Sequence, residues 1–244
     1  MKGKRYFWVA MAAFVIVASV FGNGCATNRG ILDIQVAESP NPAPAQAGAN
    51  VQEHPSLPYG SSVENLPSGN VIAIVRVTDN RKFELAPRNP SVPSLRGREV
   101  EDKMITSRAI ARKRNSYGMA MGDILLPEGR TVENVVREAL TKAFREAGYS
   151  VLDSTSAPNA SAMPVEADIE QFWSWFTPGF ATISVEFEAR VKIKGNIQPF
   201  TNGETVRGYV KHHAAAAGTR QWQNAFDTGV AAFIDEVKKR LAAK

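Results

Sequence analysis

Cysteine is all but absent from this chain: Cys25 is the only one in 244 residues. A lone thiol closes no intrachain disulfide, so the fold must rest on a packed core. Histidine is scarce too, with three in the chain, and no Cys/His cluster has the spacing of a zinc site. Charge of one sign is also lacking. The formal net charge is +5, and three of those units are Lys2, Lys4 and Arg5. What remains is too close to neutral to favour nucleic acid. There is no Ser/His/Asp signature and no phosphate-cradling glycine loop. The sequence therefore assigns no catalytic residue, metal or cofactor and reads as a non-enzyme, with an envelope hydrolase the weakest alternative. Finally, no apolar run spans a membrane comfortably. Residues 6–21 are uncharged and mostly apolar, whereas a spanning helix takes about 20 such residues.

What is present at the start is an export signal. A basic head (Lys2, Lys4, Arg5) precedes the apolar run, and Gly22-Asn23-Gly24-Cys25 follows. Such a segment is set aside before fold reasoning. Three outcomes stay open: a bacterial lipoprotein acylated on Cys25, an uncleaved anchor, and a soluble product cut near Gly24 or Ala26. The first is preferred, although Gly22 stands where the attachment pattern usually has Leu, and Asn23 where it has Ala or Ser. Ala26, rather than Asp, resembles the outer-membrane sorting class. More than one acyl chain on Cys25 meets the requirement for stable anchoring.

Three regions follow: a signal peptide over 1–24, a proline-rich tether over 25–69, and one α+β domain over 70–244. Pro40, Pro42, Pro44, Pro55, Pro58 and Pro67 favour extended segments without a core. Within the tether, residues 31–36 (ILDIQV) have the β propensity of an edge strand. The domain opens with 71–77 (VIAIVRV), which reads as a central strand covered on both faces. Residues 82–99 read as a long aperiodic loop. A helix over 131–147 has Val132, Val135, Val136, Ala139, Leu140, Ala143 and Phe144 on one face, Thr131 as N-cap and Gly148 at C′. A short strand at 149–152 should lie beside 71–77.

A long hairpin follows. Ile183, Val185, Phe187, Ala189, Val191 and Ile193 alternate with polar residues, while Val165, Ala167, Ile169, Trp173 and Trp175 take the core side of the first strand, with Gln171 as an exception. Both inward sets are odd-numbered, so opposing residue numbers must have an even sum. Placing Asp168 against Arg190 and Glu166 against Lys192 satisfies this without opposing like charges. A strand at 204–214 returns after Asn202-Gly203. Adjacent His212 and His213 fall on opposite faces, so they cannot share a metal. A helix over 221–242, capped by Thr219, buries Trp222, Phe226, Gly229, Val230, Phe233, Val237 and Leu241. The expected architecture is a mostly antiparallel sheet with two amphipathic helices packed on one face.

Residues 107–118 concentrate positive charge, with Arg108 and Arg112 one helical turn apart, then Lys113, Arg114 and Tyr117. Two readings stand: a solvated loop or helix face, and a site for anionic envelope groups such as lipid phosphates, where arginine forks bind two oxygens at once.

The early strand, the 71–77 strand ending in Asp79-Asn80-Arg81, the helix ending Arg145-Glu146-Ala147-Gly148-Tyr149, the hairpin over 168–194 and the closing helix together resemble small envelope lipoproteins of the YajG type. The resemblance covers nearly everything after Cys25, except that the proline-rich tether and the Arg112-Lys113-Arg114 loop are longer. It implies an outer-membrane lipoprotein facing the periplasm. The expected role is a non-enzymatic binding or accessory component of an envelope assembly or transport complex, with an envelope protein or an anionic lipid or glycan as partner. The alternative is a purely structural outer-membrane lipoprotein.

Overall fold

Apolar residues at every second position build the two longest strands. β6 (Met163–Pro178) and β7 (Ile183–Gly195) form an antiparallel hairpin, and β8 (Glu204–Ala214) extends it along β7. The computed structural model describes residues 29–36, 71–115, 117–152, 162–180 and 182–243. The expected signal peptide over 1–24, Cys25 and the proline-rich stretch from 37 onward lie outside them. On the other edge of β6, β2 (Val71–Asp79) runs parallel along its first half, with β5 (Ser150–Leu152) parallel beyond it. β3 (Ala109–Arg114) meets the second half of β6 at Ala111 and Ser174 and forms an antiparallel hairpin with β4 (Ala120–Leu125). β1 (Gly30–Ile31) closes that edge, parallel to β4. The longest ladders are antiparallel, but four of the seven pairings are parallel, so the sheet is mixed.

Besides α1, a single turn at Lys103–Thr106, there are two long helices, α2 (Val132–Glu146) and α3 (Thr219–Ala242). Both lie on one face of the sheet, in one core that joins Leu140 and Phe144 to Phe226, Phe233, Val165, Phe172 and Phe187. α2 starts as its sequence expects: Thr131 Oγ1 accepts from the Asn134 N–H while the Asn134 side chain accepts from the Thr131 N–H. Gly148, at φ +91°, takes the left-handed position that ends it. α3 begins one residue earlier than a Thr219 cap requires. Gly218 is its N-cap, with no side-chain cap bond. α3 also sits unusually close to the sheet. A Cβ on Gly208 would stand 2.6 Å from the Phe233 backbone, and one on Gly229 would stand 2.0 Å from the Phe187 ring.

The hairpin, β2 and the basic run depart from expectation, and the edge strand expected near 31–36 is present in part. The hairpin register does not place Asp168 against Arg190. Asp168 faces Lys192 and Glu166 faces Lys194, and the pairing shifts between Ile169 and Gln171, where Glu170 is the extra residue of a bulge. The bulge reverses the alternation, so Phe172 joins the helix-side core while Trp173 and Trp175 pack on the opposite face. There they meet Leu95, Ala109 and Leu125, with Phe83, Val100 and Ile105 against them, so the aperiodic stretch after β2 is the cover of that face. β2 is not covered on both sides. Its ladder slips between Ile74 and Arg76, leaving Val75 55% exposed. The basic run is a strand, because Ala109, Ile110 and Ala111 are each fully buried. Lastly, residues 30–36 are part of the domain. β1 holds the sheet edge, Ile34 is buried in the core, and Leu32 and Val36 pack against it.

Candidate binding surface

The start of β3 is bound to the core and its end to a turn, which decides what each basic residue can reach. Arg108 directs its guanidinium onto the Leu126 carbonyl, at 2.8 and 3.0 Å. Arg112 is one-tenth exposed and pairs with Asp123 at 3.2 Å. Arg29 reaches the same Asp123 at 3.4 Å and Glu99 at 2.9 Å. Burial pushes the Asp123 carboxyl above its ordinary range, against the opposing pull of Arg112 and Arg29. Arg114 donates to Ser94 Oγ at 3.1 Å and to the carbonyls of Gly118 and Pro87 at 3.3 and 3.4 Å. Burial, and then the like charge of Arg112, lower its pKa. Lys113 runs over β1, its Nζ 3.2 Å from where a Cβ on Gly30 would stand. Tyr117 is 86% exposed on the β3–β4 turn.

The five residues singled out in the sequence therefore do not converge. Arg108 and Arg112 are engaged inside the domain. Arg114, while bonded to Ser94, Gly118 and Pro87, borders with Lys113 a groove of about 370 Å³, with Met121, Phe176, Pro178, Ile183 and Trp222 among its walls. A smaller groove of about 190 Å³ lies on the other side of Arg114, against Arg88, Pro90 and Asn115. Both open at one end of the sheet, where the β3–β4 and β6–β7 turns stand together. The combination of an apolar floor and a cationic rim suits an amphiphilic partner better than a free anion.

The face opposite the helices carries a second group of residues that sequence reasoning missed. Glu186 and Glu188 are both buried there. Glu186 accepts from Tyr209 at 2.6 Å and Thr177 at 2.7 Å. Glu188 binds the Arg207 fork at 3.0 and 3.2 Å and Arg190 at 3.2 Å. Burial, with the Glu186 hydrogen bond and its charge, pushes the Tyr209 phenol up to about 12. Glu188 and Arg190 border a groove of about 410 Å³ with Asn80, Lys82, Glu170 and Gln171. The one available signal was the outward set of alternating residues, Glu186 and Glu188 on β7 with Arg207, Tyr209 and Lys211 on β8. Their pairing needs the β7–β8 register, which places Glu186 against Lys211 and Glu188 against Tyr209.

In the sequence Arg81 stands out only as the end of Asp79-Asn80-Arg81 after the 71–77 strand. Its buried guanidinium donates to the carbonyls of Ala109, Phe172 and Thr106 and pairs with Asp79 at 2.7 Å. The two neighbouring histidines separate as expected, His212 to Thr228 and His213 to Ser184. Among the described residues, no group of three His, Cys, Asp or Glu side chains is placed to hold a metal ion. No helix among them is long and apolar enough to cross a membrane.

No family model matches the chain, and no curated protein matches it. Among solved structures, the chain is similar to a crystal structure of an uncharacterized protein. The two are 7% identical, and the match covers 69% of this chain and 90% of that one at a TM-score of 0.37. That likeness is too slight to carry an argument.

Proposed function

We propose that this protein is a lipoprotein of the bacterial envelope, held on the periplasmic face of the outer membrane through acylated Cys25. There it serves as a non-enzymatic binding or accessory component of an assembly or transport complex. One observation carries the reading. Cys25 precedes Arg29 by only four positions, and Arg29 is already bound to the domain through Glu99 and Asp123. A lipid on that cysteine would thus hold a folded surface near the bilayer, where a partner could be met repeatedly at high effective concentration. The candidate contact for a protein partner is the Glu188–Arg190 groove on the face opposite the helices. The groove bordered by Lys113 and Arg114, at the end that carries Tyr117, is the candidate contact for anionic lipid. Arg112 contributes indirectly by holding Asp123.

The test is crosslinking in intact cells, with identification of the captured species, combined with the intact mass of the mature chain. The expected result is a chain that begins at an acylated Cys25 and captures a defined envelope protein. Cys25→Ser should release the protein from the membrane and reduce that capture. A mass that still includes residues 1–24 sinks the anchoring. Isolation only as a monomer or homomer sinks the accessory role.

A further inference from the structure

Strand directions bring three connections to one end of the molecule. β3 and β6 run parallel, so the turn after Arg114 and the turn after Pro178 leave the sheet side by side. β8 pairs with β7 through Ala214 and Ile183, which adds the link into α3 to the same end. The three stretches, 114–122, 176–183 and 214–220, contain no Asp or Glu. They are also where apolar side chains face water. Of the nine large hydrophobic residues exposed among the described ones, four stand here: Tyr117, Met119, Met121 and the fully exposed Phe180. Soluble surfaces seldom gather such a patch without a use for it.

The chain's entry points to the same end. β1 runs parallel to β4, with Gly30 opposite Ile124 and Ile31 opposite Leu125. Residues before Gly30 therefore approach from the side of Gly122 and Met121, which is the turn end. From Arg29 back to Cys25 the chain can reach at most ~14 Å. A lipid on Cys25 is thus confined to the neighbourhood of these turns.

We propose that this end of the sheet is the face the domain lays on an anionic lipid surface. Tyr117, Met119, Met121 and Phe180 enter the interface, and Lys113 and Arg114 lie over the phosphates. The occupant is lipid rather than protein because an acylated Cys25 would confine this end to the bilayer and because its three turn stretches carry Arg114 and Arg220 and no acidic residue, a charge opposite to that of acidic headgroups. The inference rests on the anchoring proposed above, and it makes the domain's orientation part of that function.

The experiment uses the mature chain in vesicles of phosphatidylethanolamine and phosphatidylglycerol that carry a lipid-borne quencher. Acylation occupies the Cys25 sulfur, so a thiol introduced by Phe180→Cys, or by Lys239→Cys at the far end of α3, takes a polarity-sensitive label alone. The label at 180 should leave water and be quenched several-fold more than the label at 239. Equal quenching overturns the proposal, as does a label at 180 that leaves water only when an envelope protein is added. A second arm uses the mature Cys25→Ser chain. It should retain weak, salt-sensitive sedimentation with phosphatidylglycerol vesicles, lose it on phosphatidylcholine, and lose it when Met119, Met121 and Phe180 all become Ser. Absence of that sedimentation also overturns the proposal. The mass of Cys25 separates the two readings: an acylated chain with equal quenching refutes the lipid face alone, whereas an unacylated chain that still sediments refutes the anchor alone.

Discussion

Arg81 shows how much one side chain can hold together in this protein. Its guanidinium is fully buried and spans three carbonyls that belong to different stretches, Thr106, Ala109 and Phe172, while Asp79 supplies the countercharge. Arg81→Met should leave those acceptors and a carboxylate unpaired and cost ~3–5 kcal/mol, read as a fall in the urea midpoint at unchanged slope. Arg81→Lys should recover only part of the loss, because an ammonium lacks the planar fork. Tyr209 gives a prediction in pH. Its phenol is pushed up to about 12 from 10.0. A group whose folded pKa is raised contributes stability that is complete below the unfolded value and disappears as pH rises through the folded one. Wild type should therefore lose more stability between pH 10 and 12 than Tyr209→Phe, and the variant should lack a phenolate step near pH 12 in an ultraviolet titration. Equal losses in the two proteins would count against the Glu186 contact.

The same logic applies to whole elements, where Glu170 decides which ring faces which core. Ile169 pairs with Val191 and Gln171 with Arg190, so the ladder would close without the residue between them. A chain lacking Glu170 should keep its near-ultraviolet tryptophan signal and its cooperative unfolding. A chain lacking Phe172 should lose both, since Gln171 or the tryptophans would then be forced to the wrong face. This bulge also explains why the hairpin was only half legible. Alternation in β7 is unbroken and legible, as are the apolar stripes of α2 and α3 and both ends of α2. α3, in contrast, starts at Thr219 behind a Gly218 cap that no side-chain signal marks. In β6 the pattern changes phase at Glu170, and a rule with a fixed period of two turns that change into a misplaced register and puts Trp173 and Trp175 in the wrong core. β3 was missed for a related reason. Ala109, Ile110 and Ala111 carry too little apolar volume to outweigh the three charges after them, and the ladder to β4 slips in two places. Of the candidate site, the charge was legible. Its internal partners were not, because Asp123, Ser94 and Leu126 are brought there only by tertiary pairing.

At the scale of the molecule, the proline-rich stretch changes meaning. Both its flanks belong to the domain, Val36 against the core and Val71 at the start of β2, so it connects two parts of the domain and does not separate the domain from Cys25. Halving residues 37–70 should leave the vesicle-bound orientation unchanged and stabilise the domain by ~0.6 kcal/mol, because loop closure depends only weakly on length. A rise in Tm of about 1–2 °C, with unaltered quenching at position 180, is the expected result. β1 then acquires a mechanical sense. A pull exerted by an anchored Cys25 acts along the strand toward the turn end, so it loads the β1–β4 pair in shear. The Leu32–Leu125 hydrogen bond at 3.0 Å and the Asp33–Arg130 ion pair at 2.9 Å strain together rather than one after another. Behind them Ile34 sits in the core like a knot behind a hole. Sufficient tension would draw it through, and the leash would lengthen in one step by the residues that β1 and Ile34 had held. Were Cys25 anchored, the domain would hold its leash short at rest and give up those few residues only under force.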